Sequence, residues 1–145
     1  MKLITERAAA NGLLIILSAV VLFHVLVLLR VIPFAIVWGG RLTDETQLLT
    51  FETVSILLNL MMLTAVAVRA GLVKVRLPRL LLPTILWSMT GLFLANTVGN
   101  LLATTAFEKL VFTPLTLLLA LFSLRLALSK PARPLVELPA GDTKR

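Results

Sequence analysis

The sequence predicts an all-α, polytopic membrane protein: an antiparallel four-helix transmembrane bundle with both termini in the cytoplasm. Three observations carry this. Of 145 residues, 59% are hydrophobic and 14% charged, where a soluble domain is roughly 25% charged. The mean hydropathy is +1.01, so polar side chains are too few to cover a compact body in water, and lipid must be the solvent for most of the chain. The apolar residues also fall in four runs, at about 10–32, 49–69, 80–103 and 110–129, each long enough at 1.5 Å per residue to cross a ~30 Å hydrocarbon core.

The first run follows Lys2 and Arg7, as in a signal peptide. Leu13 to Leu29 is nevertheless too long for such a segment, and Ile32-Pro33-Phe34 lacks a small-x-small cleavage pattern. It is expected to stay attached as an anchor. The connection at about 33–48 combines Pro33, Trp38, Gly39, Gly40, Arg41, Asp44 and Glu45, which is turn chemistry with an interfacial indole. The connection at about 104–109 is short enough to make helices three and four a hairpin. Helix four has two readings. Thr113-Pro114 suits an N-cap followed by proline at the first helical position, leaving Phe107–Phe112 interfacial; alternatively the helix starts earlier and Pro114 kinks it. Residues 1–129 form one domain, and 130–145, with three prolines and scattered charge, read as a disordered tail.

Orientation follows from Lys and Arg, which resist translocation. Lys2, Arg7, Arg69, Lys74, Arg76, Arg79, Lys130, Arg133, Lys144 and Arg145 fall on one side, against Arg41, Lys109 and Arg30 on the other. The net charge of +7 is thus a topology signal. Dispersed between apolar runs, it forms no nucleic-acid patch. The absence of cysteine excludes disulfides, thiolate metal sites and a Cys nucleophile.

On helix three Gly91, Ala95, Gly99 and Ala103 recur every four residues, a small-residue stripe on which another backbone can approach closely. Packing within the bundle and a homodimer seam both use such a stripe. Thr113, Thr116, Ala120, Ser123 and Ala127 on helix four answer it at steps of three and four, so the two faces are expected to meet.

Polar residues gather in one layer. From the helical rise, Arg30, Glu52 and Asn100 lie roughly 3–5 Å below the outer interface, His24 and Asn96 roughly 10–12 Å and Asn59 near 15 Å. The inner half holds mainly hydroxyls (Ser18, Thr64, Ser88, Ser123) and the end-proximal Arg125. Glu52 at that depth stays ionised only with a partner, for which Arg30 is the first candidate and Arg41 or Lys109 alternatives. Equally, Glu52 is a first-turn acid favoured by the helix dipole, and the asparagines are interhelical hydrogen-bonding groups. Glu108-Lys109 and Asp44-Glu45 read as solvated loop charges.

A single histidine without cysteine makes a poor metal site, and no spacing compels Ser55, His24 and Glu52 into a triad, so neither a metal nor a catalytic residue is expected. The chain lacks nucleotide-binding motifs, and no cofactor is expected.

The segments Trp38-Gly39-Gly40-Arg41-Leu42, Phe51-Glu52-Thr53-Val54-Ser55, Asn96-Thr97-Val98-Gly99-Asn100, Phe107-Glu108-Lys109 and Thr113-Pro114-Leu115-Thr116 resemble a group of small, four-helix bacterial inner-membrane proteins with no assigned activity. The likeness spans roughly residues 24–128 and implies a bacterial cytoplasmic membrane, with no site residue to carry over.

The leading expectation is a non-enzymatic bundle that binds a small molecule or lipid headgroup in an outward-facing pocket of His24, Arg30, Arg41, Glu52, Asn59, Asn96 and Asn100. The alternative is an assembly subunit, with a second copy or another membrane protein as partner and lipids around it. A small transporter, or a lipid-modifying enzyme using His24 and Glu52, ranks lower.

Overall fold

The computed structural model describes residues 4–33, 37–38, 44–75 and 77–129. These are helical, without strands, in the order α1 (Glu6–Leu28), α2 (Glu45–Arg69), α3 (Leu81–Leu101), a π-helical turn (Glu108–Phe112) and α4 (Thr113–Ala127). Each of α1, α2, α3 and the combined Glu108–Ala127 segment is long and apolar enough to cross a membrane. Large apolar side chains such as Ile15, Leu57, Leu94 and Leu110 point outward, as expected of helices whose surroundings are as apolar as their core.

The boundaries follow local chemistry. Thr5 caps α1, its hydroxyl accepting from the Ala8 amide at 3.1 Å, and Asp44 caps α2 by accepting from Gln47 at 2.8 Å. Both helices therefore start about four residues before their apolar runs do, because polar caps precede the apolar face. At the other end of α2, Gly71 adopts φ 75°, and Leu72 and Val73 donate back to Ala67, an ending that needs a left-handed residue after the cap. In α1 the same place is taken by Arg30 at φ 62°, with Val31 and Ile32 donating to Leu26.

Helix four starts early, the second of its two sequence readings. Pro114 has no amide hydrogen and cannot donate to the Leu110 carbonyl, so the preceding turn widens to π geometry instead of ending the helix. Thr113 makes no capping bond; its buried hydroxyl has no partner among the described residues. Thr105 caps the start of this segment: Glu108 donates its amide to the Thr105 hydroxyl at 3.3 Å, and that hydroxyl donates to the Glu108 carboxylate at 2.6 Å. Glu108 is consequently buried, which corrects its reading as a solvated loop charge.

Packing is uneven. α1 lies against α2, α3 against α4, and α1 against α4, whereas α2 and α3 barely touch. The main core joins Leu13 and Leu17 of α1, Met62 and Val66 of α2, Met89 and Phe93 of α3, and Leu119 and Ala120 of α4. Gly12 sets the approach of α1 to α4, because a Cβ there would run into the Phe122 ring. One end of the bundle is tied by Arg125, whose Nε donates to the Ile4 carbonyl at 2.8 Å, and by Arg69, paired with Glu6 at 3.2 Å. The proline-bearing segment 130–145, expected to be a disordered tail, lies outside the described residues.

Candidate functional site

At the opposite end, His24 and Glu52 come together. His24 stands late in α1 and Glu52 two turns into α2, so the tight α1–α2 contact brings them face to face, with Nδ1 of His24 2.6 Å from Oε2 of Glu52. Trp38 completes the group by donating its indole Nε1–H to Oε1 of Glu52 at 2.8 Å. Each carboxylate oxygen thus has one close partner, and Glu52 is fully buried while His24 retains 17% side-chain exposure. Val27, Val37 and Leu48, with Phe23 and Ile32, form a separate apolar cluster beside it. Burying a carboxylate in this way is tolerable only when both oxygens accept hydrogen bonds.

Trp38 holds its position against backbone strain. Its φ of 57° lies in a region that costs a bulky residue roughly 1–2 kcal/mol. The indole bond to Glu52 and a tilted ring contact with Phe51, centroids 4.9 Å apart, oppose that strain. Aromatic contacts extend the group across the bundle: Phe23 meets the His24 ring edge-on at 5.9 Å and Phe112 of the π turn at 5.1 Å.

The other residues of the expected pocket do not converge on this group. Arg30 pairs instead with Glu45 at 2.9 Å, both side chains well exposed. The left-handed turn at Arg30 carries its side chain out of the bundle, so it is not the partner of Glu52. Arg41 lies outside the described residues, and Lys109 is exposed. Asn59 donates to the Ser55 carbonyl of its own helix at 2.8 Å. Asn100 and Thr97 both donate to the Thr116 hydroxyl, at 3.3 and 3.0 Å, and that hydroxyl lies within reach of the Phe112 carbonyl at 2.8 Å. These groups tie α3 to α4. Asn96 is exposed on the outer face of α3 and makes no hydrogen bond to the described residues.

The small-residue faces divide. Thr116, Ala120 and Ser123 of α4 are buried as expected, and so is Ala103 just beyond α3. Gly91, Ala95 and Gly99 point outward, and a Cβ at either glycine would have no heavy atom within 4 Å. α3 presents Met89, Phe93 and Thr97 to the core instead, because small residues on one helix are filled by large ones on the other, whereas two small faces would leave a gap.

Two openings mark the loose α2–α3 seam. One, about 200 Å³, lies at the Arg69 end, with Leu82, Leu86 and Leu126 among its walls. The other, about 450 Å³, is an apolar cleft between Met61 and Met62 of α2 and Met89 and Leu92 of α3. Neither is lined by His24 or Glu52. Among the described residues no three His, Cys, Asp or Glu side chains gather as a metal site.

Sequence reasoning missed three participants. Trp38 was visible only as an interfacial indole, Glu108 was signalled by the Thr105-x-x-Glu108 spacing, and Gly12 carried only the short small-x-x-x-small spacing it makes with Ala8. Compared with known proteins, the chain matches no family model, no curated protein and no solved structure.

Proposed function

We propose that this chain is a non-enzymatic assembly module of a bacterial cytoplasmic membrane, an antiparallel bundle with both termini in the cytoplasm that self-associates through the outer face of α3. The orientation rests on the positive-inside rule. Arg7, Arg69, Lys74, Arg79 and Arg125 belong to one end of the bundle, and Arg30 and Lys109 to the other. The bacterial setting rests on the motif resemblance.

The observation that carries the assembly reading is Asn96. Its amide lies about 8 Å from the end of α3 by helical rise, on an outward face where the hydrocarbon supplies no hydrogen-bonding partner. Beside it Gly91, Ala95 and Gly99 leave the backbone open to close approach. An amide both donates and accepts, so Asn96 of one copy is complementary to Asn96 of another across a twofold axis. The other described polar residues of the layer already have partners within the chain: Glu52 with His24 and Trp38, Asn100 with Thr116, Asn59 with Ser55 and Arg30 with Glu45.

Native mass spectrometry from lipid nanodiscs tests this. The parent is expected as a dimer. Gly99→Leu, which fills the groove without touching the chain's own core, should give a folded monomer, and Asn96→Leu should weaken the dimer. A monomeric parent, or a dimer indifferent to both substitutions, overturns the reading.

One observation favours a second reading, a ligand at the outward end. His24 is partly exposed while its partner Glu52 is fully buried, which gives a small molecule or lipid headgroup one accessible edge of a hydrogen-bonded polar pair. A retained non-protein mass that vanishes in Glu52→Gln supports it, and its persistence in that variant counts against it.

A further inference from the structure

We propose that the cavity at the Arg69–Arg79 end of the α2–α3 seam binds an anionic phospholipid, with the phosphate on the two guanidiniums and an acyl chain against Leu82 and Leu86. This site is at the opposite end from His24 and Glu52 and is independent of self-association through α3.

The rim and walls differ in chemistry as an amphiphile requires. Arg69 closes α2, Arg79 precedes α3, and both line an opening of about 200 Å³ whose other walls include Val68, Leu77, Leu82 and Leu86. The arginines are at helix ends, the level of lipid phosphates, and Leu82 and Leu86 follow at successive turns of α3 into the hydrocarbon. Farther along the same two helices lies a second cleft of about 450 Å³, beside Met62 and Met89. From Arg69 back to Leu58, a residue of that second cleft, the helical rise is roughly 16 Å, within the reach of an acyl chain that leaves the first cavity along α2. A free phosphate would have no use for these apolar walls.

Charge selects an anion. Among the described residues Glu6 is the sole carboxylate at this end, and it lies 3.2 Å from Arg69 and 3.9 Å from Arg125. Arg7, Lys74 and Arg79 add three further cations. The Arg69 side chain is only 12% exposed. Its contact with Glu6 holds the guanidinium in place at the rim, so a phosphate meets a positive charge already fixed in position. Basic pockets between transmembrane helices are suited to phosphate headgroups.

The test uses the full chain in detergent micelles, with dioleoyl phosphatidylglycerol, dioleoyl phosphatidylcholine and inorganic phosphate at equal concentration. Native mass spectrometry should show phosphatidylglycerol retained over phosphatidylcholine. Arg79→Gln, at an exposed connection outside the core, should reduce that excess about fivefold, the effect of one basic group near an anionic headgroup. Arg69→Lys should keep most of the excess and Arg69→Gln should lose it. Arg30→Gln, at the other end, should leave it unchanged. The proposal is overturned if Arg79→Gln retains as much phosphatidylglycerol as the parent, if Arg30→Gln reduces retention equally, or if inorganic phosphate raises thermal stability as much as the lipid does.

Discussion

His24 and Glu52, 28 residues apart in sequence, face each other at 2.6 Å across the α1–α2 contact, and Trp38 closes the far side of the carboxylate at 2.8 Å. Three segments are thereby fastened at one buried point. Removing one member strands the others, and leaving a buried hydrogen-bonding group without its partner costs about 1–3 kcal/mol. Glu52→Leu and His24→Leu should each lower stability by an amount of that order in detergent unfolding. Their double variant should cost less than the sum of the two, because the second substitution removes a group already stranded. In a Trp87→Phe background, Trp38 emission should shift in Glu52→Leu and stay near the parent value in Asn59→Leu.

Two glycines on different faces should behave oppositely. Gly12→Ala places a methyl group into the Phe122 ring, and overpacking of this kind costs about 1–3 kcal/mol. Gly99→Ala meets open space and replaces the poorer helix former, so the monomer should be no less stable. Thermal unfolding of both variants in detergent, where self-association is weakest, separates them.

Thr116 and Ser123 share the buried face of α4, yet their hydroxyls have different standing. That of Thr116 receives hydrogen bonds from Thr97 and Asn100, whereas that of Ser123 is buried without a partner among the described residues. Thr116→Val should therefore destabilise by about 1–2 kcal/mol. Ser123→Ala should be neutral or stabilising by up to about 1 kcal/mol, since it removes a desolvated hydroxyl. Equilibrium unfolding of the two single variants decides it.

Gly71 and Arg30 end their helices in the same left-handed backbone. Gly71→Ala should cost about 1 kcal/mol through its φ of 75°. Arg30→Gly should regain a similar amount and forfeit only the exposed pair with Glu45, worth less than about 1 kcal/mol. The expected outcome is a higher melting temperature for Arg30→Gly than for Arg30→Ala.

The existence of four spans was legible because lipid solvation demands long apolar runs and nothing else in the chain competes with that signal. The rotation of each helix was not. In water an apolar stripe reveals the inward face, but here Leu57 and Leu94 face outward as readily as Leu17 and Leu86 face inward, so spacing alone turned Gly91 and Gly99 the wrong way. The pairing of Glu52 was half legible. Its depth required a partner, but counting from residue 49 put Glu52 level with Arg30 and above His24; α2 begins at Glu45, which lowers Glu52 toward His24, and the left-handed turn removes Arg30 from the interior. Gly12 was illegible because its importance lies in Phe122, 110 residues away. Glu108 could have been read from its Thr-x-x-Glu spacing, the signature of a helix start, where the Thr105 hydroxyl gives the buried acid a partner.

The thin seam between α2 and α3 bears on how the chain is made. Each tight pair, α1 with α2 and α3 with α4, is a hairpin that can enter the bilayer as its own synthetic unit, and the first can wait for the second because little of its surface is reserved for α3. The bond between the halves runs through α1 and α4, the first and last spans to emerge. A chain severed within the connection around Lys74 should therefore reassemble from its two co-expressed halves, whereas a cut between α1 and α2 would divide the buried His24–Glu52 pair between separate polypeptides.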